Sequence, residues 1–575
     1  MTLNIPRPEY PRPRLVREDN WINLNGEWQF EIDNGDSGKE RQFFKRDSLN
    51  GKIIVPFVPE SKLSGIENTD FMKAVWYRRE FSVPNNWDTE KGRVIVNFGA
   101  VDYLCEVWIN GEHAGKHKGG YTPFSFDITS LLQQGINVIT VYAFDDTKSD
   151  LQPSGKQSMK YNNWQCFYTR CTGIWQTVWL EYVPKVYVDK IKITPDIGNE
   201  SIHVAVKMNT YCSESLKVKS FLEDKEISSM NLKISGKEVE FTLSVPNPSL
   251  WFPESPVLYD LEIEAGKDKV KSYFGMRKVS IDGYKVLIND KSVFQRLVLD
   301  QGYYPDGIYT APSDEALKED ILLSKKIGFN GARMHMKVFE PRFSYWADKL
   351  GYLLWAEYPN WGLYTAKIET LSPVLTEWIE TMERDYNSPA IIGWCPFNES
   401  SWGTLQEIYD GILAVTRLYD KMRPVIDSSG YFHGNDTDIY DVHDYIQDPE
   451  EFKKVYEPFK EDDSKAWQNF PAQEGPYKGQ PYFVSEFGGT WWSVDENGDN
   501  GWGYGDAPKT LEEFYQRYED LVNVLLNHPK MFGFCYTQLT DVFQEKNGLF
   551  TFDRKEKFDS DKLYNINTRQ AEIEK

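Results

Sequence analysis

Up to about residue 185, apolar and polar positions alternate in short runs, the period of a strand with one buried face. The runs fall at 27–32, 74–81, 93–98, 105–109, 136–142 and 176–182. Clusters of Gly, Asn, Asp and Pro separate them, and Asn110-Gly111 is the strongest short hairpin signal in the stretch. Many short strands at this spacing predict a β jelly-roll sandwich over 1–185. The alternation continues on a smaller scale at 186–193, 202–207, 239–243 and 258–263. No long helical period interrupts it, and an immunoglobulin-like β-sandwich is expected over 186–280.

After residue 281 the period changes. Short apolar strands now alternate with helical segments, which is the signature of βα units around a parallel sheet. Strands are expected at 293–299, 329–335, 352–358, 391–398, 425–428, 439–443, 482–487 and 533–538. Helices are expected at 314–327, 341–350, 372–386, 404–420, 449–457 and 510–528. Eight such repeats predict a C-terminal (β/α)8 TIM barrel over 281–575, a fold whose active sites lie where the strands end.

Two strand ends carry chemistry. Strand four ends Gly393-Trp-Cys-Pro-Phe-Asn-Glu399 and strand seven ends Phe483-Val-Ser-Glu486. A carboxylate directly after a buried apolar run must face the barrel mouth or find a partner, because burying it unpaired is costly. Two of them across one cavity are the equipment of glycoside hydrolysis. Sugar-compatible groups gather at the other ends: Arg333, His335 and Lys337, Glu357 and Trp361, His443 and Tyr445, then Trp491, Trp492, Trp502, Tyr536, Gln538 and Asp541. Aromatic walls with a few polar groups suit a sugar ring.

Composition narrows the partners. Aromatic residues make up 15% of the 575-residue chain, and aromatic faces suit sugar C–H faces as well as cores. The net charge of −22 repels phosphate backbones and anionic bilayers, so neither nucleic acid nor membrane is an expected partner. The cysteines Cys105, Cys166, Cys171, Cys212, Cys395 and Cys535 have no zinc-type spacing and read as reduced thiols. With no apolar h-region near the N-terminus, a cytoplasmic location is expected.

At these residues the chain resembles glycoside hydrolase family 2, the family of β-galactosidases, β-glucuronidases and β-mannosidases. The resemblance runs through Leu24-Asn-Gly-Glu-Trp28, Val107-Trp-Ile-Asn-Gly111, Gly119-Gly-Tyr-Thr-Pro-Phe124 and Thr172-Gly-Ile-Trp-Gln-Thr-Val178. It continues in Trp251-Phe-Pro253, Tyr273-Phe-Gly-Met-Arg277, Gly328-Phe-Asn-Gly-Ala-Arg333, Trp346-Ala-Asp348 and Asn398-Glu399. By the resemblance, Glu399 is the general acid/base, Asn398 holds a sugar 2-hydroxyl, Glu486 in Ser485-Glu-Phe-Gly488 is the nucleophile, and Tyr445 bonds the nucleophile. The family retains anomeric configuration, which implies carboxyl groups about 5–5.5 Å apart. It also implies that loops of the first domain, here 155–157 and 164–170, reach the site.

The departures bear on the sugar. The family's first-strand phrase is replaced by Phe294-Gln-Arg-Leu-Val-Leu-Asp-Gln301, which places Asp300 among the substrate-binding candidates. Met336 stands where a histidine is usual, between His335 and Lys337, and strand eight offers Tyr536 and Gln538 in place of a tryptophan. The Asn-x-Lys element that meets a glucuronide carboxylate is replaced by Glu545-Lys-Asn-Gly548, which counts against a glucuronide. Lys337 or Lys546 keeps an acid sugar in view. No metal set is recognisable and no cofactor is expected. The resemblance thus implies a retaining exo-β-glycosidase, β-galactosidase-like first, with β-glucuronidase or β-galacturonidase as the alternative. Galactofuranosides and arabinosides remain within the same class. A non-catalytic carbohydrate-binding protein would require loss of one of the two carboxylates. Oligomers are common in the family, and no motif here fixes a state.

Overall fold

A computed structural model describes residues 5–494 and 501–575; the first four residues of the expected first domain, and 495–500 of the barrel, lie outside it. The first domain is a sandwich of two antiparallel sheets. One runs, in spatial order, Gly51–Val55, Gly26–Ile32, Ala74–Ser82, Ile136–Phe144, Leu104–Ile109 and Glu112–Lys118. The other runs Trp21–Asn23, Val178–Pro184, Gly92–Phe98 and Phe124–Asp127. Alternate residues such as Trp28, Phe30, Tyr77, Val94, Val96, Val107 and Val141 fill the space between them. The hairpin at Asn110-Gly111 forms as its sequence demands, with both residues at positive φ, 53° and 82°.

The second domain is built on two strands much longer than the alternation suggests, Ser201–Leu222 and Lys225–Ser244. The first half of Ser201–Leu222 pairs with Val188–Asp196 and its second half with Tyr259–Ala265. The change of partner coincides with a break in register between Lys207 and Cys212, the usual way a strand passes from one face of a sandwich to the other.

Among the described residues, seven parallel strands form the barrel sheet, in the order Ile391–Cys395, Leu353–Glu357, Gly331–Met334, Gln295–Asp300, Met531–Thr537, Tyr482–Gly488 and Tyr440–Asp444. The expected fifth strand is not one. Residues 425–429 close the gap only through isolated parallel bridges, Trp394 to Val425 and Asn398 to Ser429. Pro424 has no N–H to give a ladder. The Asp427 carboxylate binds its local backbone, accepting from the N–H groups of Ser428 and Gly434 and pairing with His433. The expected helices are present, from Asp314–Lys326 to Leu511–Leu526, and a further one, Ser560–Asn567, follows the last strand. Among the described residues no helix is long and apolar enough to cross a membrane.

The three domains meet on one buried barrel residue. Asp348 Oδ2 accepts from Arg14 Nη2 at 2.8 Å and from the Tyr273 hydroxyl at 2.7 Å. Its Oδ1 accepts from the Ala390 N–H at 2.9 Å and its main-chain carbonyl from Trp251 Nε1 at 2.8 Å.

Candidate active site

Glu399 and Glu486 face each other across the barrel mouth. One carboxylate oxygen of each, with a ring nitrogen of His443, lies within 4.8 Å of the others. Local structure sets each position. Glu399 has φ of +44°, a left-handed conformation rare outside glycine, and its N–H donates to the Ser429 carbonyl at 2.8 Å. Asn360 anchors the residue before it, its side chain accepting from Asn398 N at 2.8 Å and donating to Asn398 O at 3.1 Å. Such strain persists only where the surroundings over-determine it, which is common at functional sites. On the opposite side, a register shift places Glu486 beside His443 on the adjoining strand.

Buried polar groups divide the two carboxylates electrostatically. Arg333, 1% exposed, donates from Nη1 to Glu486 Oε1 at 3.0 Å, from Nη2 to Asn398 Oδ1 at 2.8 Å and from Nε to Glu357 Oε1 at 2.5 Å. The other Glu357 oxygen accepts from Met336 N at 3.1 Å and lies 3.0 Å from His335 Nδ1. Tyr445 donates its hydroxyl to Glu486 Oε2 at 2.5 Å and stacks on Tyr504 with centroids 3.5 Å apart. Burial alone would raise the Glu486 pKa, but His443, His335, Arg333 and Lys156 outweigh it and hold the group at about 2. Burial, with the charges of Lys156 and Arg333, pushes the His335 pKa well below its ordinary value. Glu486 is therefore an anion fixed at both oxygens. Glu399 is the more exposed, with 17% of its side chain accessible against 6% for Glu486.

Asn398 Nδ2 is a buried donor without a partner among the described residues, as a donor kept for a ligand would be. Trp361 forms a wall beside Glu399, its Nε1 donating to Asn398 O at 3.1 Å. The first domain completes this wall: Phe167 packs on Trp361 at 5.2 Å, and Lys156 Nζ sits 4.1 Å from the same ring. Both expected loops thus reach the mouth. Trp502 Nε1 and Gln544 Nε2 secure the second by donating to Gln165 O at 2.8 and 2.6 Å.

Other candidates stand elsewhere. Lys337 is sealed below the mouth, its Nζ donating to Gly302 O at 2.6 Å and Tyr309 O at 2.7 Å; burial lowers its pKa to about 8. Asp300 accepts from Gly302 N at 2.8 Å and shares that buried layer, where burial and Asp320 raise its pKa to about 7. Tyr536 leans outward, packing on Phe487 at 5.5 Å and on Tyr518 of the helix Leu511–Leu526 at 5.0 Å. Trp492 packs beside Phe514 and Phe558, each at 6.3 Å, and Trp491 lies against Gly503. Gln538 donates to Asn547 Oδ1 at 2.7 Å, and Asp541 accepts from Lys557 Nζ at 2.8 Å. Asn360, Ser429 and Tyr504 escaped the sequence reading. Only Asn360, a polar residue three positions past Glu357, left a signal there.

The glutamate, histidine and glutamate of the mouth could in principle ligate a cation. The 2.7 Å separation of His443 Nδ1 and Glu399 Oε1 is that of a hydrogen bond.

Comparison with known proteins agrees with this architecture. Family models described as glycosyl hydrolases family 2 match in chain order: the sugar binding domain at 22–184, the central domain at 186–277 and the TIM barrel domain at 279–497. A β-glucuronidase of Canis lupus familiaris is 26% identical over 461 residues, covering 72% of this chain and 69% of that protein. A β-galactosidase of Lactococcus lactis is 29% identical over 399 residues, covering 65% of this chain and 36% of that protein. The solved structure of a β-glucuronidase from Ruminococcus gnavus superposes with a TM-score of 0.79 at 20% identity, over 98% of this chain and all of that one, and so shares its fold. Three consecutive domain matches, in a chain that presents two carboxylates across a barrel mouth, make this protein a glycosidase belonging to glycoside hydrolase family 2.

Proposed function

We propose that the protein is a retaining exo-β-glycosidase acting on β-glucuronides, with Glu486 as nucleophile and Glu399 as acid/base. The observation that carries the mechanism is the pair of carboxylates within 4.8 Å, one of them a fully hydrogen-bonded anion. That spacing suits direct attack on the sugar and leaves too little room for the intervening water of an inverting enzyme. Glu486 attacks the anomeric carbon as the bond to the leaving oxygen breaks, and the proton of Glu399 passes to that oxygen. Glu399 then takes a proton from water, whose oxygen attacks the same carbon and expels Glu486. Arg333 and Tyr445 hold Glu486 in line, and Asn398 Nδ2 is the donor for a sugar hydroxyl.

The glucuronide is preferred over the galactoside expected from sequence because β-glucuronidases align over about two thirds of their length. The Lactococcus lactis β-galactosidase aligns over 36% of its own. The test is a panel of p-nitrophenyl β-glucuronide, β-galacturonide and β-galactoside, with Glu486→Gln as the blank. Glucuronide turnover that is absent from the blank is the expected result. Faster galactoside turnover would restore the galactosidase reading.

A further inference from the structure

A glucuronide brings a carboxylate of its own, and the element that usually receives it is replaced here. Asn547, in the substituted stretch, spends its amide on Glu545 Oε1 at 3.0 Å while its carbonyl accepts from Gln538. The cations first in line are also occupied. Lys337 is bound to two main-chain carbonyls and Arg333 to Glu357, Glu486 and Asn398.

Lys156 is different. It is 7% exposed, yet its Nζ makes neither a hydrogen bond nor an ion pair among the described residues; its close contact is the Trp361 ring. A buried ammonium without an anion is a costly arrangement. Burial pulls its pKa down, but Cys166, Glu399, Glu486 and Glu545 together hold it above the ordinary lysine value, so it stays charged.

The backbone carrying Lys156 is fixed to the barrel. Ser154 N donates to Trp361 O at 2.7 Å, and Gly155 N donates to Pro359 O and Trp361 O at 3.2 Å each. Gly155 has φ of +55°, and a Cβ there would stand 2.5 Å from Met336 O, so only glycine allows this approach. On the other side, Gln157 is clamped by its Nε2 donating to Asp102 Oδ2 at 2.8 Å and its Oε1 accepting from Cys171 N at 2.8 Å.

We propose that Lys156, supplied by the jelly-roll domain, receives the carboxylate of a uronic acid glycone held against Trp361 in the barrel mouth. The inference rests on the glucuronide reading and assigns the charge recognition that reading lacks. An ammonium poised over an aromatic ring, partly desolvated and with no carboxylate in hydrogen-bonding contact among the described residues, gives up little to bind an incoming carboxylate.

The test compares kcat/KM for p-nitrophenyl β-glucuronide and p-nitrophenyl β-glucoside, which differ only in carboxylate against hydroxymethyl, in wild type, Lys156→Met and Lys156→Arg. Competitive inhibition by D-glucuronate, measured alongside, reads the same contact without turnover. Lys156→Met is expected to lose roughly 10²–10³-fold on the glucuronide and to change less than about tenfold on the glucoside. Its inhibition by D-glucuronate should weaken in parallel, and Lys156→Arg should recover part of both. Equal losses on the two substrates, or an unchanged preference with an unchanged inhibition constant, would overturn the role of Lys156 alone. A wild-type enzyme that turns over the neutral glycoside and ignores the glucuronide would instead overturn the glucuronide reading, and this inference with it.

Discussion

His443 Nδ1 lies 2.7 Å from Glu399 Oε1, and the hydrogen-bond network around the ring fixes where its protons are. The Ser429 hydroxyl donates to Asp441 Oδ2 at 2.6 Å, so at 3.1 Å it can only accept from His443 Nε2. Nε2 therefore carries a hydrogen, which also points toward Glu486 Oε1 at 3.4 Å. On its other side, Nδ1 hydrogen-bonds Glu399, the group that must protonate the leaving oxygen. Replacing His443 with Ala should lower kcat/KM roughly 10²-fold for alkyl glucuronides and much less for nitrophenyl glucuronides, whose leaving groups need little protonation. Equal losses on both would mean that His443 does not act through Glu399.

The two carboxylates should separate by the same chemistry. Glu486→Gln is expected to lose on the order of 10⁴-fold or more on every substrate, since no covalent intermediate can form. Glu399→Gln should spare activated leaving groups and release an early burst of nitrophenol, because deglycosylation also loses its base. Near-normal turnover by Glu486→Gln would remove it from the nucleophile's role.

Stability should depend on pH through a buried carboxyl of the first domain. Glu60, buried beside Thr172 in the first domain, is pushed from an ordinary 4.5 to about 8, first by burial and then by Asp145. A folded-state pKa raised in this way contributes stability below about 4.5 that is lost as pH rises through 8. Glu60→Gln should therefore raise the melting temperature relative to wild type more at pH 8 than at pH 5, by about 1–3 °C. A difference independent of pH, followed by calorimetry, would show that Glu60 is already ionised.

Asp348 predicts how the domains come apart. Its replacement by Ala leaves Arg14 and the Tyr273 hydroxyl without their buried acceptor, a loss typically of about 3–5 kcal/mol. The variant should melt earlier and be cleaved by protease between the second domain and the barrel before the barrel itself is cut. Cleavage in the wild-type order at wild-type rates would show that other contacts hold the junction.

Legibility in the sequence followed the periodicity. Glu399 and Glu486 could be placed because each ends an apolar run whose direction into the mouth is set by the barrel. Tyr536 could not, since one step along a strand reverses the face: its neighbour Thr537 lies 3.1 Å from the Tyr445 hydroxyl, while Tyr536 packs outward. Lys337 lies past its strand end, where no period applies, and backbone carbonyls from a distant loop captured it. Strand five looked apolar at Val425-Ile426, yet Pro424 and Asp427 decided its conformation. The loop at 155–157 was found by resemblance, and only its contacts with 336, 359 and 361 explain its glycine.

The pairing of Gln295–Asp300 with Met531–Thr537 joins the first and last strands of the barrel sheet. The strand bearing Glu486 rests against the latter of these. During synthesis the two β-domains can therefore be complete while the barrel is still an open ribbon, with Glu486 unsupported on one edge. Arg333, Tyr445 and Glu486 acquire their common geometry only after residue 537 has emerged from the ribosome and sequence-distant strands have met, an intrinsically slow step. Chains halted before that point would carry both glutamates, the arginine and the sugar-facing loops, and would have no catalytic power.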